Sequence, residues 1–94
     1  MKIYLTAIVK STISAADELR EVLLNMVVQS RKEVACIQYD LHEDKQTQTF
    51  IFQEEWVDQS GLNLHNEQAY IVNFVKKAAR LTTSVVIYKT IRLA

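Results

Sequence analysis

The chain has 94 residues, of which 49% are hydrophobic, and 11 basic side chains balance 11 acidic ones. That length makes one domain with a small core, for which oligomerisation is a source of further burial. A net charge of zero offers no electrostatic footprint for a nucleic-acid backbone or an anionic membrane, and no apolar run approaches the roughly 20 residues that span a bilayer.

Lys2 to Lys10 is rich in β-formers, with Ile3, Leu5, Ala7 and Val9 on one face and Tyr4, Thr6 and Ile8 on the other. Nothing before this run has a signal-peptide pattern, so a cytoplasmic location is expected. Ser14, with Asp17 three residues on, reads as a helix N-cap. The helix runs to about Arg31, with Leu19, Val22, Leu23, Met26 and Ser30 at 3-4 spacing. Val34 to Glu43 alternates as a second strand. Ala35, Ile37, Tyr39 and Leu41 face one way, while Cys36, Gln38, Asp40 and His42 face the other. The lone Cys36 cannot close an internal disulfide and reads as a buried thiol in a reducing compartment.

A short polar hairpin loop, Glu43 to Gln48, leads into a third strand, Gln48 to Trp56. Asp58 to Asn66 is a short helical turn, and Asn66 can cap a helix reaching Leu81. Tyr70, Ile71, Phe74, Val75 and Ala78 form its apolar stripe. Ser84 to Leu93 is a fourth strand. The order β-α-β-β-α-β is the ferredoxin-like, α+β pattern: a four-stranded antiparallel sheet with helices on one face. Both faces of the first strand carry apolar residues, so a second copy is expected over the open face.

The third strand carries the functional signal. Phe50, Phe52, Glu54 and Trp56 share one face, and a carboxylate among aromatics is costly unless paired or solvated. His65, nine residues after Trp56, can fold back over the strand's end. One acid, one imidazole and apolar walls suit small-molecule chemistry. His65 can serve as a general base near neutral pH or bond a strand end as a structural histidine, and Glu54 can orient His65 or a substrate hydroxyl or pair with a lysine or arginine, including one across a dimer. Trp56 can stack on a flat ring or close the sheet as a core aromatic. Asp40 and His42 share a strand face, but two ligands are too few for a metal. A Gly-rich phosphate loop, CxxC and HExxH are all absent. The same element order occurs in RNA-recognition domains, but QTFIFQEEW has no glycine and two acids where those need an aromatic, basic strand.

Ile37 to His42, then Phe50-x-Phe52-x-Glu54-x-Trp56, then Leu62 and His65, resemble the antibiotic biosynthesis monooxygenase (ABM) domain of the dimeric α/β-barrel superfamily. The resemblance covers nearly the whole chain and implies a single ABM-like domain over residues 1–94. It also implies a homodimer packed sheet to sheet, and a pocket between sheet and helices. The family includes cofactor-independent monooxygenases of quinols, haem-degrading relatives and isomerases of a small sugar-derived phosphate. Trp56 and His65 match family positions. Tyr70 stands where many members carry a second histidine, and Thr6 where haem-degrading members carry an asparagine.

The expectation is a cofactor-free oxygenase of a small, quinol-like aromatic, with no cofactor and no metal. His65 and Glu54 carry the chemistry, and Trp56, Phe52, Tyr70 and Phe74 bind the substrate. A non-catalytic ligand-binding dimer and an isomerase of a small carbonyl compound are the alternatives.

Overall fold

The computed structural model describes residues 1–94. The elements run β1 (Ile3–Ser11), α1 (Ala16–Ser30), β2 (Cys36–Asp44), β3 (Thr49–Trp56), α2 (Gln59–Asn66), α3 (Ala69–Leu81) and β4 (Thr82–Thr90). The strands form one antiparallel sheet in the order β2-β3-β1-β4. This is the ferredoxin-like α+β arrangement. No helix is long and apolar enough to cross a membrane.

Period-2 patterning builds the sheet's inner face. Leu5, Ala7 and Val9 on β1 are buried, whereas Tyr4, Thr6 and Ile8 stay partly open on the other side. Phe50, Phe52 and Trp56 on β3 and Tyr39 on β2 extend that inner face. Leu19, Leu23, Met26 and Val27 of α1, Leu62 of α2, and Ile71, Phe74 and Leu81 of α3 close over it. Each such side chain contributes about 1.5–3 kcal/mol by leaving water.

Four local expectations are corrected. Ser14 does not cap α1. The N-cap is Ala15, which makes no side-chain capping bond, and Ser14 lies one residue outside it. Asp17 instead accepts from Arg20 Nη1 at 2.9 Å, one turn along the helix. Asn66 does not cap α3 either; it is the last residue of α2, and Gln68 stands at the N-cap. Burial of Leu62 and His65 on one face of α2 holds that helix together through Asn66.

The alternation assigned to β2 breaks at a bulge between Cys36 and Gln38. Cys36 pairs with Trp56 and packs against the core, while Ile37 is turned out to solvent. An extra residue in one strand shifts all side chains before it to the opposite face. Finally, Val75 is exposed rather than part of a buried stripe.

β4 is an edge strand that no helix covers. Val85 and Ile87, beside Val9 and Ala7 on the inner face, remain 39% and 60% exposed. The outer face of the sheet carries Tyr4, Ile8, Ile51, Val86 and Tyr88 as an apolar strip.

Candidate active site

The site is built where β3 ends and α2 begins. Alternation along β3 sends Glu54 and Trp56 inward together. Trp56 is wholly buried, and its indole Nε1–H donates to Glu54 Oε1 at 3.0 Å. The chain then turns into α2, with the Asp58 carboxylate accepting from the Gly61 N–H at 2.8 Å as an N-cap. Gly61 lies against the turn that follows α1; a Cβ there would collide with that of Ala35. The Val57 N–H donates to Ala35 O at 2.9 Å and fastens the same two segments. This close approach, which only glycine permits, brings the buried face of α2 down onto the sheet.

His65 projects from that face. Its ring lies 4.4 Å from that of Trp56 and 5.5 Å from that of Tyr39. Nδ1 lies 2.7 Å from Glu33 Oε2. Glu33 sits in the turn after α1, its N–H donating to Ser30 O at 3.0 Å and its own carbonyl accepting from the Cys36 N–H at 3.1 Å. The Tyr70 hydroxyl of α3 donates to the same carboxylate oxygen and lies 3.0 Å from Ser30 Oγ. With the tyrosine proton given to Glu33, Ser30 is the donor in its bond to Tyr70.

A carboxylate only accepts, so neutral His65 carries its proton on Nδ1 and leaves Nε2 as a lone pair. No fully buried side-chain polar atom lacks a partner. Nε2 makes no hydrogen bond, so it is not sealed into the core.

His65 and Glu54 both border a cavity of about 170 Å³ between the sheet and α3. Phe52, Phe74, Ile71 and Leu5 supply apolar wall, and Val75, Val85 and Ile87 form a rim toward β4. Burial pushes the Glu54 carboxyl up to about 7, the indole bond opposing the rise and Glu33 adding to it. Burial holds His65 below the ordinary imidazole value, with the Glu33 bond and charge pulling the other way. Near neutral pH the cavity therefore presents a neutral imidazole and a carboxyl group close to its titration midpoint.

Of the residues singled out from sequence, the structure brings His65, Glu54, Phe52 and Phe74 to this cavity. Trp56 and Tyr70 are not among its walls. Trp56 packs against the His65 ring, tilted by 40°, and holds Glu54 by its indole bond. The Tyr70 hydroxyl bonds Glu33 and lies 3.4 Å from His65 Nδ1. Glu54 does not orient His65, because its bond is to the indole; that contact belongs to Glu33. Glu33 carried no signal in the sequence, since the turn it occupies has no periodicity and it is 32 residues from His65. Asp40 is held by Arg31 Nη2 at 3.0 Å and Gln38 Nε2 at 2.8 Å, away from this cavity.

The model of the antibiotic biosynthesis monooxygenase family matches residues 4–77. The chain belongs to that family. The curated Bacillus subtilis (strain 168) protein "Putative monooxygenase YcnE" is 32% identical over 83 residues, 87% of each chain. Among solved structures, PA3566 from Pseudomonas aeruginosa is 31% identical, with a TM-score of 0.93 over 99% of this chain and 95% of its own. Rv0793 from Mycobacterium tuberculosis shares the fold at a TM-score of 0.93 and 22% identity, covering 100% and 97% of the two chains.

Proposed function

We propose that this ABM-family protein is a cofactor-independent monooxygenase of a small, single-ring quinol-like aromatic. The carrying observation is that His65, whose Nε2 makes no hydrogen bond, and Glu54 border one apolar cavity of about 170 Å³. An apolar cavity of about 150 Å³ binds benzene in another protein, so this volume suits one ring. The family and the monooxygenase relative supply the reaction class.

His65 Nε2 takes the proton of a ring hydroxyl, leaving an electron-rich anion. The anion's ring carbon donates electrons to dioxygen and forms a C–O bond. The protonated Glu54 carboxyl delivers a proton to the peroxide. The O–O bond then breaks, one oxygen staying on carbon and the other leaving as water. A quinol thus becomes a hydroxylated quinone plus water, with the substrate supplying all the electrons. Phe52 and Phe74 hold the ring, and the indole bond keeps Glu54 turned toward it.

A second copy of the chain covers the outer strip of Tyr4, Ile8, Ile51, Val86 and Tyr88 in this reading, because an apolar sheet face of this kind is unfavourable in water. Sedimentation at micromolar concentration reads the assembly, and a clean monomer there removes this part.

The test of the chemistry is oxygen uptake with a panel of one-ring quinols, with product identified by mass. Uptake with one labelled oxygen atom retained supports the reading. Saturable quinol binding without uptake, or proton exchange on a small carbonyl compound without oxygen, overturns it in favour of a binding module or an isomerase.

A further inference from the structure

His65 stands between two hollows. On the inner side is the 170 Å³ cavity bordered by Glu54. On the other side Glu33 borders a wider, open hollow of about 560 Å³ at the surface, with Lys32, Asp58, Gly61, Leu64 and Gln68 around it. Glu33 reaches Nδ1 from this outer side, and its side chain is 15% exposed. The imidazole thus borders the inner cavity, while its Nδ1 is bonded to a residue that borders the outer hollow.

We propose that Glu33 is the positioning residue of His65 and the relay through which its Nδ1 proton exchanges with the outer hollow. The inference rests on the reading of His65 as the base. When Nε2 accepts a proton from the ligand, the ring becomes an imidazolium. The Nδ1–H bond then breaks, its proton passes to Glu33 Oε2, and Glu33 releases it to water in the outer hollow. His65 is left neutral, with its proton on Nε2. Return to the Nδ1–H form requires Nε2 to give up that proton inward, to the peroxide or to Glu54. The proton gained at Nε2 thus re-enters the reaction, and the proton lost at Nδ1 is replaced from the outer hollow through Glu33.

The geometry favours this role over a plain ion pair. Glu33 is fixed at both backbone atoms within its turn, so its main chain is placed independently of His65. Tyr70, itself held by Ser30, fixes the same oxygen. The groups facing His65 are Glu33 from the turn, Tyr70 from α3, Glu54 and Trp56 from β3, and Tyr39 from β2. Only Glu33 is both bonded to the imidazole and open to the outer hollow.

The experiment is nitrogen NMR of ring-labelled histidine in the full chain, with His42→Gln removing the only other histidine signal. It needs no turnover, so it succeeds or fails apart from the oxygenase reading. In the parent, neutral His65 is expected as the Nδ1–H tautomer. Glu33→Ala keeps the backbone bonds of the turn. It should shift neutral His65 toward the Nε2–H tautomer and lower its pKa by about one unit or more, since Glu33 is what raises it. Glu33→Gln, close in shape, should lower the pKa in the same direction and serves if the alanine variant is unfolded. Formate added to Glu33→Ala, entering through the outer hollow, should restore the Nδ1–H form in a concentration-dependent way. An unchanged tautomer and titration in both variants overturns the positioning role. A formate response no larger than the parent's overturns the relay to the outer hollow.

Discussion

The two ends of the sheet are built to opposite standards. At the β2–β3 end Trp56 is 0% exposed, capped by α2, and its indole, Glu54, His65, Glu33 and Tyr70 are joined by hydrogen bonds or ring contacts. At the β4 end Ile87 faces the same inner layer yet is 60% exposed, with no helix above it. The difference is that one end holds its groups still while the other is left uncovered, and in the proposed reaction the uncovered end is the way in. Fixed geometry at a reacting group lowers the barrier only if a ligand can reach it. The cavity joins both ends, with Glu54 and His65 at the closed end and Val75, Val85 and Ile87 at its rim.

The largest effect expected is at the closed end. His65→Ala should lower quinol-dependent oxygen uptake by about 10²–10⁴-fold, the usual contribution of a general base. Thermal melting should show the variant still folded. Unchanged uptake would remove His65 as the base and leave the closed end a purely structural feature.

Gly61→Ala attacks the packing that creates that end. The added methyl meets Ala35, so α2 or the turn after α1 must move. A loss of about 1–3 kcal/mol in denaturant unfolding is expected, as for other overpacked sites. The histidine NMR signal should change with it, because the same approach sets the Glu33–His65 distance.

Glu54→Gln tests the burial of charge. The folded carboxyl is pushed up to about 7, above its ordinary value of 4.5, so its contribution is stabilising below pH 4.5 and is lost as pH rises through 7. Glutamine can still accept from the indole and carries no charge. At pH 8 the variant should therefore be the more stable, by on the order of 1–3 kcal/mol, with little difference at pH 4. Urea titrations at the two pH values check this. The proposed reaction needs neutral His65 and protonated Glu54, so on that reading the parent rate should fall as pH rises past about 7 and also as pH falls through the depressed His65 value. The alkaline fall should vanish from whatever rate Glu54→Gln retains.

The smallest effect is expected at the open end. Ile87→Thr should change stability by less than about 0.5–1 kcal/mol, because an exposed side chain loses little on truncation. Its effect should fall on the Michaelis constant for a quinol rather than on the maximal rate. A large loss of stability instead would mean that Ile87 is covered in solution, and would erase the contrast between the two ends.

Local patterning alone determined the element order. The alternation of β1 and β3 and the 3-4 spacing of α1 and α3 are short-range consequences of backbone geometry, and they placed Leu5, Leu23, Phe52 and Phe74 inward. The shared face of Phe50, Phe52, Glu54 and Trp56 was legible for the same reason. Tertiary structure decided the rest. The bulge that turned Cys36 in and Ile37 out depends on pairing with β3. The withdrawal of Trp56 from the cavity depends on where α2 lands, and that depends on Gly61 meeting Ala35. The partner of His65 proved to be Glu33, not Glu54, because a turn after one helix is brought against another by packing between segments far apart in the chain. Periodicity reports which face of an element is buried; it carries no information about which two buried faces meet.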